Sequence, residues 1–113
     1  MPENNAVRGR EFRDEVVSYI RSKTSLPAAV RGSLDLNHHA AGSIGGVPGW
    51  TLTSGANLLD RGHAERLDFA EVAAAADGNR LAAAVIQRPG LPVRHAIVLM
   101  SLRSFAYWIG EPQ

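Results

Sequence analysis

The chain has 113 residues, 45% of them hydrophobic and 20% charged, enough for one compact core but not for two. Twelve basic against eleven acidic residues leave a formal net charge of +1, so no global field draws it toward DNA or anionic lipid, and any nucleic-acid surface must be local. There is no cysteine, which excludes disulfides, thiolate metal sites and cysteine nucleophiles together.

The opening Met-Pro-Glu-Asn-Asn-Ala lacks the apolar segment of a signal peptide, and no run approaches the ~18 apolar residues of a membrane span. A cytoplasmic or virion-borne protein is expected, with no membrane partner. Eleven of the twelve basic residues are Arg, and alanine recurs at 73–76 and 82–84. This is the bias of high-GC coding and points to an actinobacterium or one of its phages.

Residues 9–23 carry a helical pattern, with Phe12, Val16, Tyr19, Ile20 and Lys23 on one side and Glu11, Asp14, Ser18 and Arg21 opposite. Pro27 lies beyond its end. Residues 30–36 read as a strand and 37–42 as a polar loop. A second strand is expected over 47–54, where Trp50 and Leu52 share a face at period 2. After a loop at 56–64, a helix is expected from Glu65 to Ala76, with Phe69, Val72, Ala73 and Ala76 on one stripe, stopped by Asp77-Gly78-Asn79. Strands follow at 81–87 and 96–100, separated by a turn at Pro89-Gly90-Leu91-Pro92. Ser101 suits the N-cap of a last helix through Ile109, with Leu102, Phe105, Ala106 and Ile109 expected to face the core. The order α-β-β-α-β-β-α predicts a single α/β domain over 1–113, a central mixed sheet flanked by helices.

Several polar groups invite a chemical reading. Asp60, His63 and Glu65, joined by Asp35 or Asp68, could assemble oxygen and imidazole metal ligands; the plainer reading is a solvated loop before a helix whose positive end favours Glu65 and Asp68. His38-His39 are read as surface histidines, because adjacent residues of an extended loop point apart. Gly42, Gly45 and Gly46 lack the Lys-Ser/Thr and helix start of a phosphate loop and fit a hairpin or bulge. Trp50 and Trp108 sit in apolar patterns that favour packing over base stacking. Arg8, Arg10, Arg13 and Arg31 offer phosphate contacts on a local basic rim, set against Glu11, Asp14 and Glu15.

Residues 42–55, Gly-Ser-Ile-Gly-Gly-Val-Pro-Gly-Trp-Thr-Leu-Thr-Ser-Gly, carry a resemblance. With Arg8-Gly9-Arg10-Glu11-Phe12 before Val16-Val17-Ser18-Tyr19-Ile20, Gly32-Ser33-Leu34-Asp35, and Val98-Leu99-Met100-Ser101-Leu102 before Phe105, the chain is similar to the small PD-(D/E)XK nucleases of the Holliday-junction-resolvase kind over about residues 8–109. The resemblance implies a metal-binding Asp where this chain has Ser43, a Glu where it has Thr53 and a Lys where it has Gly55. It also implies a Glu after the first helix's Phe, where this chain has Arg13. Residues 37–41, Asn-His-His-Ala-Ala, widen the loop beside that position.

Mg²⁺ keeps its waters unless carboxylates displace them, and metal-dependent phosphodiester hydrolysis needs the ion to activate water. Ser43 and Thr53 supply neutral hydroxyls. A unit positive charge such as Arg13 at 4 Å would repel each metal charge by roughly 4 kcal/mol at an effective dielectric of 20. The resemblance therefore implies a pseudonuclease that holds no metal or cofactor and serves as a structural or protein-interaction module, with a protein partner, a homo-oligomer or a virion assembly as its context. The alternatives are a metal-dependent endonuclease with a migrated site at Asp60, His63 and Glu65, or a non-cutting DNA-binding protein.

Overall fold

The computed structural model describes residues 2–31, 43–55 and 62–110, with side chains from Arg8 onward. It is an α/β domain in which a five-stranded mixed sheet is flanked by three helices. Helix α1 spans Pro2–Lys23 and starts earlier than the apolar pattern indicates. Proline is well placed there, since the first helical residue has no intrahelical use for an N–H. Beyond Lys23, the Thr24 hydroxyl donates to the Ile20 carbonyl and accepts from the Leu26 amide, closing the helix before Pro27.

Strands β1 (Ala29–Val30), β2 (Ile44–Gly45), β3 (Trp50–Gly55), β4 (Leu81–Ile86) and β5 (Ile97–Leu99) lie side by side in chain order. The sequence indicated a strand at 30–36; the strand is Ala29–Val30 and Arg31 is already outside it, while 32–36 lie outside the described residues. Ile44–Gly45, where the glycine pattern predicts a hairpin or bulge, forms a short strand of its own. Between β2 and β3 the Trp50 amide donates to the Val47 carbonyl at 3.0 Å across Pro48 and Gly49. Proline first and a glycine at φ 81° second is the requirement of a type II turn, which explains why the predicted strand loses its first three residues.

All neighbouring pairs are antiparallel except β3 and β4, which run parallel with Trp50 opposite Leu81 and Gly55 opposite Ile86. A parallel pair needs a crossover, supplied by helix α2 (His63–Ala76). The helix ends as Asp77-Gly78-Asn79 predicts: the Asn79 amide donates to the Ala74 carbonyl and the Gly78 amide to the Ala75 carbonyl, the paired bonds of a Schellman motif.

Two cores follow from the alternation of strand side chains. On one face Phe12 and Val16 of α1 pack with Ala28, Ile44, Leu52, Ala83 and Val85, joined by half-buried Trp50. On the other, Ala70 and Ala74 of α2 pack on Ala82, Ala84 and Ile86. The expected stripe of α2 is thereby rotated: Ala70, Ala73 and Ala74 are buried, whereas Phe69 and Val72 are half exposed. Strand β4 is buried along its whole length, and small residues on both surfaces let the helix axis approach it closely.

A short 3-10 turn at Val93–His95 leads into β5, and helix α3 spans Leu102–Gly110. Ser101 caps it, its hydroxyl accepting from the Ser104 amide at 3.0 Å. The expected inward face of α3 is overturned. Leu102, Phe105 and Ile109 are exposed, while Ser104 is buried and Tyr107 half-buried, with the Arg80 guanidinium 4.8 Å from the Tyr107 ring centre. Among the described residues no helix is long and apolar enough to cross a membrane.

Candidate functional site

Ile44 pairs with Leu52, and both belong to the core beneath α1. One step along that antiparallel register Ser43 and Thr53 come opposite one another, and alternation turns both toward the α2 side of the sheet. Gly55, two residues beyond Thr53, lies on the same side. The three positions that the resemblance assigns to the metal Asp, the Glu and the Lys thus share one face and one end of β2 and β3. Ser43 and Thr53 are both buried.

The crossover decides what covers them. Helix α2 runs back along β3, so its first turn lies over the end of that strand and its last residues over the beginning. Arg66, in the first turn, lies against Gly55: a Cβ added there would stand 2.6 Å from the guanidinium carbon and would collide with Nη1. The position where the resemblance places a lysine is thus backbone only, and a cation from the next element fills the space. Arg66, Thr53, Ser54, Phe69, Ala84 and Ile86 line a recess of about 140 Å³.

At the other end of the same face, Asp77 collects three donors. The Thr51 hydroxyl donates to its Oδ2 at 3.2 Å, the Asn79 amide at 2.9 Å and Arg31 Nη2 at 2.5 Å. Asn79 also donates to the Thr51 hydroxyl and the Trp50 carbonyl. The Arg31 guanidinium crosses Gly45, where an added Cβ would lie 2.8 Å from its Cζ. Gly45 and Gly55 thus each make room for an arginine, with the buried hydroxyls of Ser43, Thr51 and Thr53 between them.

The remaining predicted residues are dispersed. Arg13 lies on α1, the layer covering the opposite face, half-buried, with its Nε enclosed and without a hydrogen-bond partner among the described residues. Arg8 and Arg10 are exposed on α1 beside exposed Glu11, Asp14 and Glu15, whereas Arg31 is ion-paired on the other side of the sheet. His63 and Glu65 are exposed at the start of α2. Asp35, His38, His39 and Asp60 lie outside the described residues, and among the described ones no three His, Asp or Glu side chains converge as metal ligands.

Arg66 escaped the sequence reading because it sits in a helix start with no motif around it. The signal that could have found it is topological, since a crossover after β3 must return its first turn over the strand's last residues. Chemically, the face carries hydroxyls, two guanidinium groups and the Asp77 carboxylate, which is already paired with Arg31 and Thr51, and it presents no carboxylate at Ser43, Thr53 or Gly55. No protein-family model, curated protein or solved structure matches this chain.

Proposed function

We propose that this chain is a non-catalytic module on a nuclease-like frame, a pseudonuclease that acts by binding a protein partner in the cytoplasm or in a virion. The observation that carries this reading is the face shared by Ser43, Thr53 and Gly55, where two buried hydroxyls and the Arg66 guanidinium occupy the positions at which the resemblance implies two carboxylates and a lysine. Hydrolysis through a divalent metal needs anionic ligands to strip the ion of water, and the hydroxyls of Ser43 and Thr53 are neutral. The exposed apolar side of α3 supports the second half, because large apolar residues grouped on a surface mark interaction sites.

Branched and linear DNA incubated with excess protein and Mn²⁺ should stay intact. The melting temperature should be the same with Mg²⁺, Mn²⁺ or a chelator, since a ligand stabilises only as far as it binds the native state. Metal-dependent cleavage that vanishes in Asp60→Ala, His63→Ala or Glu65→Ala would replace this reading with that of an enzyme whose site has moved.

A further inference from the structure

We infer that the outward face of α3 is a two-fold interface with a second copy of this chain. This names the partner of the interaction module proposed above and rests on that reading. Leu102 is 80% exposed, Ile109 63%, Trp108 62% and Phe105 40%, on a helix of 9 residues. At roughly 200 Å² for a fully exposed side chain of this size, they leave on the order of 500 Å² of apolar surface in water. A standard interface buries about 800 Å² per partner, somewhat over half of it apolar, so one such face supplies the apolar part of one side of a stable dimer.

The face is also complementary to itself. Leu102, Phe105 and Ile109 fall on one side at helical spacing, bordered by Ala106, which also lines the recess that α3 forms with Arg80 and Leu81. A two-fold axis passing between Phe105 and Ala106, with the helices antiparallel, sets Leu102 of each copy against Ile109 of the other. Such a contact closes on itself and leaves no free end. Phe105 and Trp108, their ring centres 6.0 Å apart and their planes inclined at 54°, already form an aromatic pair of the sort that dominates interface energetics.

Electrostatics do not oppose the contact. Arg103 is the one charged residue of α3, about a quarter turn from Leu102, and two chains of net charge +1 repel weakly. On its inner side the helix meets the domain through the Arg80 guanidinium over the Tyr107 ring, which leaves the apolar side outward.

Sedimentation velocity on the full chain, from about 1 to about 100 µM to bracket ordinary interface affinities, tests this. The expected species has twice the 12.1 kDa chain mass. Leu102→Glu and Ile109→Lys should each weaken the dimer at least ~30-fold, with circular dichroism unchanged because both positions are exposed. Mixing the two variants should restore a dimer, since the antiparallel arrangement places the new Glu opposite the new Lys. A wild-type monomer at the highest concentration overturns the inference, as does a dimer insensitive to both variants, a mixture that stays monomeric, or a wild-type monomer that partitions onto neutral phosphatidylcholine vesicles. None of these outcomes bears on DNA cleavage, so the non-catalytic reading stands or falls separately.

Discussion

The Arg66 guanidinium lies where a side chain at Gly55 would begin. Each residue therefore restricts the other. Gly55→Ala must displace the end of a flexible side chain and should destabilise the fold by no more than about 1 kcal/mol. In an Arg66→Ala background the same change should cost much less, because the atoms it meets are gone. A double-mutant cycle by urea denaturation measures the coupling, and additive effects would show that the guanidinium swings aside freely.

Asp77 is expected to matter more than its place in a helix stop suggests. Asp77→Ala removes the acceptor of Arg31, Thr51 and Asn79 together and strands a guanidinium that is about four-fifths buried. A loss of about 2–4 kcal/mol is expected, larger than for an exposed ion pair. Asp77→Asn keeps an acceptor oxygen and should lose less. Chemical denaturation followed by tryptophan fluorescence reads this directly, since Trp50 offers its carbonyl to Asn79 in the same network.

The alanine surface of α2 gives a contrast within one helix. Ala70→Leu or Ala74→Leu pushes a branched side chain against Ala82 and Ala84 and should cost about 1–3 kcal/mol or more. Phe69→Ala and Val72→Ala, at half-exposed positions, should each cost under about 1 kcal/mol. Equal losses in the two sets would mean that the helix is rotated from the orientation described.

Ser101→Ala should lower stability by about 1 kcal/mol through loss of the bond to the Ser104 amide, and Ser101→Asp should retain most of it. Thermal melts of the three proteins decide the point.

Turn and cap chemistry made much of this fold readable in the sequence. Ser101 and Asp77-Gly78-Asn79 mark helix ends because their side chains or backbone satisfy groups that the helix leaves open. Trp50 and Leu52 share a face because strand alternation is local. The outward α3 was not readable, since an apolar stripe at helical spacing has the same pattern whether its own sheet or another surface covers it. Nor was the buried side of α2, where the lining of β4 selects alanine and the bulkier Phe69 and Val72 carry the stronger apolar signal outward. At the candidate site, the Ser43 and Thr53 positions came from the resemblance, whereas Arg66 reaches Gly55 only through a crossover that no local pattern encodes.

The parallel pairing of β3 with β4 also bears on how the chain reaches this state. Trp50 meets Leu81 and Gly55 meets Ile86 with all of α2 between them in sequence, so this pair cannot zip from a tight turn as β2 and β3 can. Its first contact must close a loop of that length, an entropic cost that ordered helix partly removes by shortening the distance to be spanned. Formation of α2 and the docking of its alanines should therefore gate entry of β4 into the sheet, whereas β4 and β5 form an antiparallel pair that needs no crossover. Substitutions at Ala70 or Ala74 should slow folding, while those at Leu102 or Ile109 should leave the folding rate of the monomer unchanged.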